Sequence, residues 1–282
     1  MRKRISFISV LTMFLAIGFA IIFSIPVKAT ANGVQLKANR TYTAYDVTGD
    51  GMKDKIRIRA ANQTDDEAYT SLTVSVNGKT AYRLKNTRFY NVIANIYTLK
   101  NGQPFLYLYA PADNGDGPVC ALLKYTNGKF RKALDFTEIM AEYGNHRIGE
   151  VTNLNGNKIV ITESIVSYSL GINAINFTYE YVNGKFVPTS RYGSYKEIYS
   201  ADGSSRHFTV SSDLPAYTRP GATAVNTTLK TGSLTKIIKC ALISGKMYIQ
   251  LECDGEIYWI KALENPPISD NERQFMEVRY AG

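Results

Sequence analysis

The chain has 282 residues, with 33 Lys and Arg against 24 Asp and Glu, two histidines and three cysteines. An odd cysteine count (Cys120, Cys240, Cys253) argues against a disulfide framework, and no His/Cys cluster stands at zinc-ligand spacing. The basic excess is scattered over Lys53, Lys55, Arg57 and Arg59, over Lys129, Arg131 and Lys132, and over Lys236 and Lys239. It forms no compact motif for nucleic acid, and reads either as a solvated face or as weak attraction to an anionic wall or membrane surface.

Arg2, Lys3 and Arg4 lead into an uncharged, mostly apolar run over 5–25, which Pro26 ends; Ala29-Thr30-Ala31 then places small residues two apart. A basic n-region, an apolar h-region and an A-x-A site predict a signal peptide over 1–31, cut after Ala31. The run is also long enough to stay as a membrane anchor. Both readings put the remaining chain outside the cytoplasm, secreted or at the cell surface, with no stable membrane insertion once the signal is cut. Losing Arg2, Lys3, Arg4 and Lys28 leaves 29 basic against 24 acidic residues, a net charge of +5.

The first element of the expected mature chain with a chemical signature is Asp46-Val-Thr48-Gly-Asp50-Gly51-Met52-Lys-Asp54. Oxygen-bearing side chains at alternate positions, with glycine at the sixth, let a short loop surround a hard cation such as Ca²⁺. Asp46, Thr48, Asp50 and Asp54 offer side-chain oxygens, Met52 a backbone carbonyl, and Gly51 the reversal that turns them inward. Arg57 occupies the twelfth position, where an EF-hand has Glu, so the loop leads into a strand. The competing reading is an Asp/Gly-rich turn without metal. Asp113-Asn-Gly-Asp116-Gly, with two acids and no regular continuation, reads as a turn.

Two interleaved series of turn dipeptides follow. Asp50-Gly51, Asn101-Gly102 and Asn155-Gly156 are spaced by 51 and 54 residues; Asn77-Gly78, Asn127-Gly128 and Asn183-Gly184 by 50 and 56. These pairs favour tight turns, and one shared period predicts a repeat of about 50 residues with two turns in each unit. The flanks alternate apolar and polar, as in Lys55-Ile-Arg-Ile-Arg59 and Ser71-Leu-Thr-Val-Ser-Val76, which predicts strands. Most tyrosines fall in such segments, as cross-strand packing or as a platform for sugars. Residues 32–205 are therefore expected to be all-β, as propeller-like or irregular repeated antiparallel sheets; Asp202-Gly203 could begin a truncated fourth unit.

One helix is expected, over 135–143, from the helical spacing of Phe136, Ile139, Met140 and Tyr143 ahead of Gly144. No catalytic set emerges. Cys120 lies in an apolar strand-like run and reads as an inert buried thiol. His146 and His207 have no evident nucleophile, and Glu163 and Glu180 read as ordinary solvated or ion-paired glutamates, although paired carboxylates for glycoside hydrolysis stay open.

The period is lost near 206, and five short strands joined by small turns predict a compact barrel over 206–265, followed by a tail over 266–282 that Phe275, Met276 and Val278 could dock. Tyr217, Tyr248, Tyr258 and Trp259 are the candidates for a ligand groove, unless all four are packing. Strand alternation sets Tyr258 and Trp259 on opposite faces. Trp259 is assigned to packing, and Tyr217 and Tyr258 to the more exposed side. Cys240 and Cys253 flank a hairpin without standing directly opposite each other.

The Asp46–Asp54 loop resembles the calcium loops of FG-GAP/VCBS repeats in extracellular β-propellers, with Asp46, Asp50, Gly51 and Asp54 matching and Thr48 in place of an acid. Residues 209–262 resemble bacterial SH3 (SH3b) domains through Tyr217-Thr-Arg-Pro220-Gly221, Leu229-Lys-Thr-Gly232, Gly245-Lys-Met-Tyr248 and Gly255-Glu-Ile-Tyr-Trp259-Ile-Lys, with Tyr258 where the family has glycine. These resemblances imply one structural calcium ion and a small SH3-like barrel that recognises a cell-wall peptide or glycan. The expectation is a secreted, non-enzymatic surface protein; the alternatives are a cell-wall or glycan hydrolase targeted by that barrel and a scaffold for another surface protein.

Overall fold

The computed structural model describes residues 33–199 and 206–279. The expected signal over 1–31 and Asp202-Gly203 lie outside the described residues. The architecture is all-β, built from irregular antiparallel sheets. Among the described residues no helix is long and apolar enough to cross a membrane.

After β1 (Val34–Leu36) the chain makes three successive meanders. The first is β2 (Thr41–Tyr45), β3 (Asp54–Ala61), β4 (Tyr69–Val76) and β5 (Lys79–Phe89). The second is β6 (Ile93–Thr98), β7 (Pro104–Ala110), β8 (Val119–Thr126) and β9 (Lys129–Asp135), with β1 added beside β6. The third begins β10 (Gly144–Asn155), β11 (Lys158–Ser167), β12 (Gly171–Val182) and β13 (Lys185–Pro188). Asn77-Gly78, Asn127-Gly128 and Asn183-Gly184, each with both residues at positive φ, close β4–β5, β8–β9 and β12–β13 as two-residue hairpins. Such turns match the twist of the strands they join, and Asn-Gly tolerates the left-handed backbone they need. The other turn series lies in the first connection of each meander. The period seen in the sequence is thus a four-strand unit whose two turns share one end.

The sheets stack as layers. β7 is buried along both faces. Phe105, Tyr107 and Tyr109 join a core with Leu122, Ile159, Ile161 and Ile175. Leu106, Leu108 and Ala110 join a second core with Ile56, Ile58, Leu72 and Val74. The second sheet is therefore sandwiched between the first and third, and each large apolar side chain it buries contributes about 1.5–3 kcal/mol. Clean alternation survives where one face is wet: in β3, Ile56 and Ile58 are fully buried while Lys55, Arg57 and Arg59 are exposed.

The C-terminal strands depart from the expected separate barrel. β14 (Tyr192–Ile198) pairs with β12 on one edge and, on the other, with β18 (Leu234–Ile243), which follows β15 (His207–Thr209), β16 (Leu214–Ala216) and β17 (Thr227–Leu229). Then come β19 (Lys246–Cys253) and β20 (Glu256–Lys261). β10, β11, β12, β14, β18, β19 and β20 run side by side in one nine-stranded sheet, completed by β13 and β15, and among the described residues no barrel closes. Gly193 lets β14 pack closely on β12. It stands opposite Cys240, where an added Cβ would strike Phe177 and Ile175.

The helix expected over 135–143 is absent. A single 3-10 turn, Phe136–Glu138, is capped by Asp135, and Met140 reverses the chain at φ +62°. Phe136, Met140 and Tyr143 are all buried between the second and third sheets. So short a helix is marginal by itself, and burial of these three side chains outweighs it. The tail is docked: Phe275 is fully buried against Phe208, Val278 is buried, and Met276 is exposed.

Candidate functional site

Three places combine chemistry-bearing residues. The acidic loop connects β2 to β3. Asp46 Oδ1 accepts from the Gly49 N–H (2.6 Å), the Asp50 N–H and the Thr48 hydroxyl, and Asp46 Oδ2 from the Gly51 N–H (2.8 Å). Partial desolvation works against the carboxylate, but these bonds outweigh it and hold its pKa below the usual range. Asp54, 1% exposed at the start of β3, accepts from the Val47 and Thr48 N–H groups, the Thr48 hydroxyl and the Asn77 amide (2.6 Å). Asp50 Oδ1 accepts only from the Met52 N–H, and Met52 is exposed. Gly51, at φ +86°, makes the reversal expected of it.

Tested against calcium, the loop has the right oxygens, yet Asp46 and Asp54 already have three donors each and share the single Thr48 hydroxyl proton, close to what a carboxylate accommodates. Among the described residues no group of three or more acidic, His or Cys side chains converges to hold a metal.

The second place is the outer face of the nine-stranded sheet. Tyr217, Tyr248 and Trp259 come together with Ala241 in a small cluster of their own. Tyr217 and Trp259 exchange two backbone hydrogen bonds, of 2.7 and 2.9 Å. Tyr217, expected to be more exposed, is 7% exposed because that bridge lays it beside Trp259. Tyr258 points the other way and packs, half-buried, on the main core. Sequence reasoning missed three members of this face. Tyr192, 41% exposed, lies 6.0 Å from the Trp259 ring. Lys239 Nζ stands 4.6 Å from the centre of the Tyr192 ring and 5.9 Å from that of Trp259, and Lys261 Nζ 5.4 Å from that of Tyr217. No local signal marks Tyr192; only the β14–β18 pairing brings it there. The register also aligns Glu150, Thr162, Asn176, Ser194, Lys239, Gln250 and Trp259 in one row across the sheet.

The third place is a buried acid–imidazole pair. Glu163 on β11 is fully buried, against the sequence expectation, with Oε2 3.1 Å from Nε2 of His146 on β10. Burial pushes the Glu163 pKa well up, and the nearby Asp135 adds to that; burial pushes the His146 pKa down, against Asp135 and Asp116. Both shifts favour the uncharged forms of the pair. Glu163 fits because the residue opposite is Gly149, whose N–H and carbonyl both contact the Cys120 thiol and whose carbonyl accepts from the Tyr107 hydroxyl. Burial raises Cys120 to about 12, so it is the inert thiol expected.

Glu163 and Glu180 are not brought together. Glu163 stands opposite Ile175 and Glu180 opposite Lys158. Five residues of β11 separate those positions, roughly 17 Å, and the odd spacing puts the carboxylates on opposite faces. Glycosidase carboxylates stand about 5–9.5 Å apart.

Compared with known proteins, the chain matches no family model, no curated protein and no solved structure.

Proposed function

We propose that the chain is an exported, non-catalytic surface protein that holds cell-wall peptide or glycan on the outer face of its nine-stranded sheet. The observation that carries this reading is Lys239, whose ammonium lies over the rings of Tyr192 and Trp259. Tyr192 is the exposed ring that can accept the flat face of a sugar, Tyr217, Tyr248 and Trp259 being buried, and hydrogen-bonding side chains such as Ser194, Asn176 and Gln250 line the row beside it. Lysines over the rings favour ligands bearing carboxylate or phosphate. The resemblance of 209–262 to bacterial SH3 domains and the signal over 1–31 agree with it. Another surface protein is the competing partner.

The test is co-sedimentation with purified wall. The parent should pellet with wall, and Tyr192→Ala/Lys239→Ala should lose most of that binding. A double variant that binds like the parent, or a parent that stays soluble, would end the reading. Deleting 208–282 is a poor substitute, since β18 is a structural neighbour of β14.

In this reading the acidic loop takes one structural calcium ion through Asp46, Thr48, Asp50, Asp54 and the Met52 carbonyl. Binding exchanges hydrogen bonds of Asp46 and Asp54 for the ion, so affinity is the difference between the two sets. A melting temperature that does not move with calcium would leave the loop as a metal-free clasp.

A hydrolase is favoured by one observation, a carboxyl whose pKa burial raises, as in a general acid. Glu163, however, is fully buried behind His146 and cannot touch a substrate. Release of soluble fragments from wall by the parent would replace the binding reading.

A further inference from the structure

Beside His146 the surface opens into a pocket of about 420 Å³, lined among others by Asp116, Thr137, Asn145, His146 and Arg147. Its backbone frame is held by the Tyr109 hydroxyl, which donates to the Gly115 carbonyl and lies 3.2 Å from that of Arg147. The wall of the pocket carries both signs of charge, with Asp116 close enough to act on the imidazole. Behind His146 lies Glu163, fully buried, with Oε2 3.1 Å from Nε2; among the described residues neither the carboxyl oxygens nor Nε2 have a hydrogen-bond partner. Burying an ionisable group is unfavourable unless it is compensated, so a role for the pair is sought in the pocket it backs.

With one proton on the pair there are two arrangements. Once Oε2 and Nε2 align, Glu163 can donate its proton to Nε2 of a neutral ring, or the imidazolium can donate from Nε2 to the Glu163 carboxylate. In both, Nδ1 carries a proton, so the ring edge that Glu163 does not hold is a donor. Groups facing the pair from neighbouring elements are Cys120 on β8, Asp135 on β9, Asp116 in the β7–β8 connection and Tyr179 on β12.

We propose that this pocket binds a short zwitterionic peptide of dipeptide size, with Asp116 meeting the ammonium and His146, backed by Glu163, meeting the carboxylate. When the carboxylate docks, the proton moves from Glu163 to Nε2. The result is carboxylate, imidazolium and carboxylate in line, with no proton exchanged with solvent. Gly149 is the positioning element, because any side chain there would occupy the volume that Glu163 fills. The site does not depend on the wall-binding face, which uses other residues and is tested with intact wall.

The chain has two histidines, His146 and His207, so their ring signals can be separated by NMR. Alanylalanine with free ends should shift the His146 ring and leave the His207 ring in place. Its N-acetylated and C-amidated forms should each bind about tenfold more weakly, the value of one charge-assisted hydrogen bond. Asp116→Asn, an exposed position with little risk to folding, should abolish the preference for the free amine alone. Glu163→Gln should bind about tenfold more weakly while remaining folded. A His146 ring that does not move at about 50 mM dipeptide, well above the millimolar range of a weak site, overturns the proposal. So does an equal shift by free and blocked forms.

Discussion

Gly149 and Glu163 face each other across β10 and β11, and the carboxylate of one fills the volume where the other would carry a Cβ. Glu163 Oε1 lies 2.6 Å from that position, with the Phe136 ring against it as well. Gly149→Ala should therefore cost about 1–3 kcal/mol, the usual range for overpacking. The urea midpoint measures it. Adding Glu163→Ala should lose less than the sum of the single changes, because the carboxylate no longer competes for the space. An unchanged midpoint in Gly149→Ala would contradict the packing.

The same pair makes stability depend on pH. Burial raises Glu163 above its ordinary 4.5 and lowers His146 below 6.5. A raised carboxyl contributes stability that is complete below about pH 4.5 and is lost as pH rises through the folded pKa. A lowered imidazole contributes stability that is complete above about pH 6.5 and is lost as pH falls through its folded value. Glu163→Gln removes only the first. The melting temperature of the parent should fall relative to that variant as pH rises above about 5, and thermal scans across that range check it. Parallel curves would mean that Glu163 is not held protonated.

In the acidic loop, Asp54 and Asp50 should respond differently without metal. Asp54 is buried and accepts three hydrogen bonds besides the Thr48 hydroxyl it shares with Asp46, so Asp54→Asn should cost about 2–3 kcal/mol in chelator. Asp50 is exposed with one bond, and Asp50→Asn should cost less than about 0.5 kcal/mol there. With calcium added, Asp50→Asn should lose the stabilisation that the parent gains. Equal losses in chelator would contradict the clasp geometry.

Cys120 and Cys240 are both buried, and burial raises each thiol to about 12. Iodoacetamide at about pH 8 should leave both unlabelled in the native protein and reach them after denaturation, as intact-mass measurement would show. No Cys240–Cys253 bridge should form. Cys240 stands opposite Ile249 and Cys253 opposite Thr235. That offset is about 13 Å along β19, beyond the roughly 7 Å a disulfide spans.

Much of this molecule follows from neighbours in the chain. Asn-Gly pairs turn because two adjacent residues accept left-handed backbone, and β3 alternates because successive side chains point to opposite sides. For the same reason Tyr258 and Trp259 part company whatever surrounds them. Other features depend on which sheet covers which. Glu163 looks like any strand glutamate until His146 and Gly149 close over it. The 135–143 segment has helical spacing, but its apolar residues find separate places between two sheets. Tyr192 reaches Trp259 only because β14 lies against β18. Local backbone preference is written residue by residue, whereas burial is a property of the packed layers, and the layers decided where charge and aromatic surface ended up.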